Sequence, residues 1–210
     1  MVGLPRARLG ARGSRIASAL LVFAATYSLS RAALAHTGTG LAGGFASGFR
    51  HPLGGSDHLL AMVSVGVWGA YLGPPLVHIL PMVFPAMMVA GAMLGMFAVP
   101  LPPVELGVAI SVLVLGSCIA MSFRAPVWAA SSIVALFAVF HGYAHGKELP
   151  SAADPTGYSA GFVLATGLLH VAGICLGSLN GRPRGAIALR SLGGVIAGLG
   201  SWFVYRALGS

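Results

Sequence analysis

Charge is what this chain has least of. Only 8% of its 210 residues are Asp, Glu, Lys or Arg, against about a quarter in a soluble domain. With 57% hydrophobic residues, that shortage excludes an ordinary water-soluble fold. Acids are scarcest: Asp57, Glu105, Glu148 and Asp154 are all there are. There are two cysteines, Cys118 and Cys175, each inside an apolar run. Their spacing matches no zinc motif, and nothing supports a disulfide between them. They read as buried thiols, with soft metal ligation as the other reading. The chain has no His-Glu-x-x-His pair, which removes the usual zinc metalloprotease. It has no nucleotide-binding loop, which removes an ATP-driven pump. The formal charge of +8 suggests no nucleic-acid partner either. Five of the twelve basic residues (Arg6, Arg8, Arg12, Arg15 and Arg31) lie in the first 35 positions. Without them, seven basic residues face four acids, leaving +3 with no basic patch.

What is present is one long apolar run after another. Residues 1–35 read as a signal peptide: a basic start, a short apolar core from Ile16 to Leu29, and a small-x-small cleavage site at Ala33-Leu34-Ala35. An uncleaved first span is the alternative. Residues 36–210 then form one membrane domain, all-α, a polytopic bundle of six transmembrane helices. The expected spans are 56–73, 76–98, 104–123, 126–146, 158–179 and 187–207, each near the ~20 residues that cross a bilayer. Short Pro- and Gly-rich connections separate them. The 31 glycines and 13 prolines fit this class, since small residues let helices approach closely and Pro is tolerated within spans. Arg124, Arg182, Arg184 and Arg190 fall on one side of this topology and all the acids on the other. The positive-inside rule then puts both mature termini in a periplasm, around a bacterial inner membrane.

Ionisable groups beside a span are costly, so they are functional candidates. Seven histidines against four acids is an unusual ratio. The first group is His51-Pro52-Leu53-Gly54-Gly55-Ser56-Asp57-His58, with Met62 one turn further. In a continuous helix His51 and His58 share a face, and Asp57 is turned about 100° away, placed to orient a partner. Gly54-Gly55 can break that helix and fold His51 back over its mouth. The structural alternative is that Pro52 begins a helix and Ser56 and Asp57 cap one.

The second group is His141-Gly142-Tyr143-Ala144-His145-Gly146-Lys147-Glu148. Here His141, His145 and Glu148 lie on one helical face, although Glu148 could equally pair with Lys147. Imidazole with carboxylate suits Ni²⁺, Zn²⁺, Co²⁺ or Cu²⁺. His170 falls in the middle of the fifth span, either as a metal ligand or as a neutral ring bonded to Thr166 one turn away. Cleavage after Ala35 would expose His36, whose amine and imidazole form a bidentate capture site, or it merely begins a mobile glycine-rich arm, Thr37 to Gly48. His78 reads as an interfacial side chain. The methionines of the second span read as core filling.

The His51–Met62 segment is similar to the HPxxGxDHxxxM signature of the HupE/UreJ proteins, the hydrogenase- and urease-accessory nickel permeases. The runs at 140–148 and 166–174 support the resemblance, which covers most of the chain after the leader. It implies secondary Ni²⁺ uptake for metalloenzyme maturation, not an enzyme, and no tightly bound cofactor. It also ties His51, Asp57 and His58 to transport. The partners expected are a transition-metal ion and the lipid bilayer, and a homo-oligomer is left open. Competing readings are a non-transporting metal-binding accessory protein or sensor, an intramembrane hydrolase using Ser201, and a haem-binding electron carrier.

Overall fold

The computed structural model describes residues 41–101, 103–148 and 154–209, without the side chains of 41–43, 148 and 183. All lie in one unit, Gly38–Ser210. The described residues are helical, with no strand. In chain order the helices are α1 (Leu41–Gly54), α2 (Ser56–Leu72), α3 (Leu76–Met96), α4 (Val104–Ala120), α5 (Val127–Glu148), α6 (Pro155–Gly177) and α7 (Pro183–Leu208), with a 3-10 turn at Ser178–Gly181 before α7. The leader expected for residues 1–35 and its boundary at His36 lie outside the described residues.

Four helical segments are long and apolar enough to cross a membrane: Leu76–Met96, Val127–Lys147, Pro155–Gly181 and Arg184–Leu208. The other two expected spans, α2 and α4, have 17 residues each. At 1.5 Å per residue they reach about 25 Å, short of a ~30 Å hydrocarbon core. The surface is inverted relative to a water-soluble protein. Phe97, Trp128 and Ile187 are exposed, while Ser64, Ser111, His141 and His170 are buried. The chain is therefore a membrane protein.

Two local expectations change. The stretch Thr37 to Gly48, expected as a mobile arm, is helical from Leu41 onward. Pro52 does not open a helix but sits inside α1. A glycine-rich segment is a poor helix former by itself. Packing outweighs that weakness, because α1 lies along α6 at very close range: a methyl group added to Gly48 would overlap the Tyr158 carbonyl, and one on Gly161 the Phe45 carbonyl.

Three other pairs use the same device: α3 with α5, α4 with α7, and α2 with α6. The α3–α5 seam positions the second histidine group. A methyl on Gly142 would strike the Met88 carbonyl, one on Gly146 the Ala92 carbonyl, and one on Gly91 the Val139 carbonyl. Because Gly142 and Gly146 each follow a histidine, one face of α5 seals against α3. The adjacent face, one residue back, carries His141 and His145. Between α2 and α3 the chain turns at Gly73, whose φ of 77° disfavours any side chain.

At the end of the bundle away from these histidines, three side chains cover the last carbonyls of α4 and the residues after it. Trp68 Nε1 donates to the Phe123 carbonyl at 3.1 Å, Tyr71 to that of Ser122 at 2.6 Å, and Arg190 Nε to that of Ala120 at 3.1 Å. The core between the two ends is filled by Met62, Trp68, Leu80, Phe84, Leu115 and Ile196.

Gly142→Ala is expected to destabilise the bundle by about 1–3 kcal/mol, the usual cost of overpacking a tight contact. Thermal unfolding in detergent measures this; Gly194→Ala, where the added methyl meets nothing within 4 Å, serves as the control and should be near neutral.

Candidate metal centre

The helix break at Gly55 decides where the first histidine group goes. Gly55 is the N-cap of α2 and has an extended backbone (φ −93°, ψ 115°). His51 therefore lies in the last turn of α1 and His58 in the first turn of α2. Asp57 accepts the His58 backbone N–H at 2.9 Å, which satisfies a free donor of the first helical turn. The same oxygen, Oδ1, lies 3.1 Å from His58 Nδ1. The aspartate does orient a partner, and that partner is the adjacent imidazole.

The end of α5 and the start of α6 meet this corner. His145 lies between the two histidines of the first group: its ring centroid is 4.8 Å from that of His51 and 4.6 Å from that of His58. His58 is also 4.8 Å from His141. Four imidazoles from three helices thus form one continuous row: His51, His145, His58, His141. Phe162 closes one flank, 4.4 Å from His145, and Tyr158 lies 5.7 Å from His51.

Hydrogen bonds fix how two of these rings, His58 and His141, are protonated. A carbonyl or carboxylate oxygen can only accept, so the nitrogen facing it carries the proton. His141 Nδ1 donates to the Phe137 carbonyl at 2.9 Å, and His58 Nδ1 donates to Asp57. In a neutral ring the remaining nitrogen, Nε2, then keeps its lone pair. In both residues that Nε2 is buried and has no hydrogen-bond partner. A lone pair aimed inward and a far side held by oxygen is the usual arrangement of a metal-ligating histidine.

His170 is oriented in the same way. The bond to Thr166, one of the two readings of His170, is not made. His170 Nδ1 donates to the Met62 carbonyl on α2, 2.9 Å away, and Nε2 is left buried without a partner. Its ring is not in contact with the row of four. The Phe84 ring lies between them, 5.4 Å from His141 and 5.2 Å from His170.

The remaining candidates are His78, Glu148 and His36. His78 is exposed near the start of α3. Glu148 closes α5, but its side chain is outside the described residues, as is the whole of His36. Phe84, Phe162 and Tyr158 carry no mark of the site in the sequence. The only local signal for Phe84 is its place between Pro81 and Pro85 in an otherwise unbroken apolar run. Among the described residues, no three His, Cys, Asp or Glu side chains form a ready-made metal cage. What exists is a row of neighbouring imidazoles.

The HupE / UreJ protein family model matches residues 24–203. The chain belongs to the HupE/UreJ family. It is 42% identical over 171 residues to Protein HupE of Rhizobium leguminosarum bv. viciae, an alignment that covers 81% of this chain and 90% of the relative. No solved structure matches it. The HupE/UreJ match includes every histidine of the row, together with Asp57, Phe84 and His170.

Asp57→Asn keeps a polar group beside His58 but loses the charge that holds its Nδ1 proton. Affinity for a divalent probe such as Co²⁺ should fall about 10–100-fold, the usual effect of losing an outer carboxylate. Equilibrium dialysis in detergent checks this. Glu105→Gln, at an exposed position on α4, should leave the affinity unchanged.

Proposed function

We propose that this HupE/UreJ protein is a secondary permease for a divalent transition metal, and that the metal is Ni²⁺ on its way to hydrogenase or urease maturation. The observation that carries the reading is the row of four imidazoles with inward-facing Nε2 lone pairs on His58 and His141. Imidazole nitrogen is a borderline donor that suits Ni²⁺, Co²⁺, Zn²⁺ and Cu²⁺. Nickel is favoured among these by the family resemblance of the His51–Met62 segment.

Transport rather than storage is supported by the form of the site. A channel for ions has to bind strongly enough to replace water and weakly enough to release. Neighbouring imidazoles from α1, α2 and α5 offer a succession of one- and two-ligand steps. A tetrahedral cage would hold the ion. The membrane potential supplies a driving force: a +2 ion moving inward gains about 4.6 kcal/mol per 100 mV, from ~2.3 per charge.

In this reading α2 to α7 are six spans. The two 17-residue helices, α2 and α4, are sheltered in the bundle by α3, α5, α6 and α7. The membrane is the bacterial inner membrane, the mature termini are periplasmic, and the histidine row opens on the periplasmic side. Glu148 and His36 belong to its entrance.

Uptake of radioactive nickel by cells that express the protein tests this directly, with Co²⁺, Zn²⁺ and Cu²⁺ as competitors. His58→Ala should abolish uptake while membrane insertion persists. Normal uptake by that variant would end the proposal. Nickel bound in detergent but never taken up by cells would make the protein a metal-binding accessory instead.

A further inference from the structure

Thr166 holds a buried hydroxyl without a hydrogen-bond partner, as Ser64 and Ser131 do. In a helix a Ser or Thr hydroxyl ordinarily donates back to a carbonyl three or four residues earlier. Ser111, Ser117, Ser159 and Ser201 all do so, at 2.6–3.0 Å. Thr166 does not: its Oγ1 is buried and unpartnered, and the residue is 1% exposed. One turn further along the same face of α6 lies His170, also 1% exposed, with Nε2 equally unpartnered. A buried polar atom without a partner is destabilising. Two on one helical face mark a place prepared for something the protein itself does not supply.

His170 is also fixed in the protonation state a cation needs. Its Nδ1 proton is committed to the Met62 carbonyl on α2, so the lone pair is on Nε2. The Phe84 ring stands between this imidazole and His141, the last of the row. The Phe84 ring therefore touches both the last imidazole of the row and His170.

We infer that His170 and Thr166 form a second, separate site for a divalent transition-metal cation, which receives the ion after it passes Phe84. The inference rests on the permease reading for the direction of travel and on the geometry above for the site itself. With one nitrogen and one hydroxyl from the protein, the ion keeps most of its water. Binding is weak and release is easy. The site therefore governs how fast ions leave the row, while the row governs how readily they enter.

The informative variant is His170→Asn. The Asn amide nitrogen falls near the position of Nδ1 and can still donate to the Met62 carbonyl, but nothing replaces Nε2. Thr166→Val keeps volume and removes the hydroxyl. Two measurements use the full-length protein. Equilibrium dialysis in detergent at millimolar Ni²⁺ counts bound equivalents, and His170→Asn should bind one fewer than wild type. Nickel uptake into proteoliposomes gives the kinetics. The maximal rate should fall about tenfold in His170→Asn and about threefold in Thr166→Val, with the half-saturation concentration within about twofold of wild type in both. A melting temperature in detergent close to wild type certifies His170→Asn; if it does not fold, Thr166→Val carries the same two readouts. An unchanged number of bound equivalents overturns the site and makes the pair a hydrated structural feature. A raised half-saturation concentration with an unchanged maximal rate also overturns it, since that places His170 in the entry row. If wild-type vesicles take up no nickel while His170→Asn still loses one equivalent, the permease reading fails and the site stands.

Discussion

A histidine ring surrounded by apolar helices has one N–H that must find an oxygen, and this bundle depends on how that need is met. Three of its imidazoles do so through Nδ1, each with a different acceptor: the Asp57 carboxylate for His58, the Phe137 carbonyl for His141 and the Met62 carbonyl for His170. Each bond settles a proton, an orientation and a direction for the second nitrogen. Two acceptors come from the ring's own helix and one from its neighbour, so the bond to Met62 also ties α6 to α2. The chemistry of the site and the assembly of the bundle are the same few hydrogen bonds.

Where the rings stand is decided by glycine. The alternation His-Gly on α5 gives two adjacent stripes, one of imidazole and one of bare backbone. The bare stripe lets α3 approach until only hydrogen fits between Gly142 and the Met88 carbonyl. That closeness brings Phe84, one turn before Met88, against the histidine stripe. Without side-chain hydrophobicity to drive association inside a membrane, such contact is a main source of helix pairing. The glycine content of the chain is therefore a structural material here, where in water it would signal loops.

Most of the helices are legible in the sequence, because an unbroken apolar run of about 20 residues has the length a membrane helix needs. The exceptions have physical causes. Helix α1 leaves no such signal, since Leu41 to Gly48 has poor intrinsic propensity; the gain comes from α6, which a local reading does not see. Helix α4 ends at Ala120, before the end of its apolar run, since a Pro- or Gly-marked boundary shows where a helix cannot continue and not where it stops. In the site, the pairing of the first and second histidine groups follows from topology. Gly54-Gly55 permits either a continuous helix or a break, and the backbone adopts the break. A helical wheel turns Asp57 away from His58, but it ignores how far a side chain can fold along its own backbone. The partner of His170 and the position of Phe84 depend on contacts between α2, α3, α5 and α6, which leave no periodic mark in the sequence.

The caps at the opposite end carry a consequence for motion. Trp68, Tyr71 and Arg190 fasten the end of α4 to α2 and α7 through three carbonyls. Those three helices make a stator. Helices α3 and α5 meet each other along their whole length and the remaining helices far less, so they form a separate blade. This blade carries Phe84, His141 and His145, whereas the stator side holds His58 and, through α6, His170. Sliding the blade by a fraction of a helical turn would shift the aromatic ring relative to both imidazole stations at once.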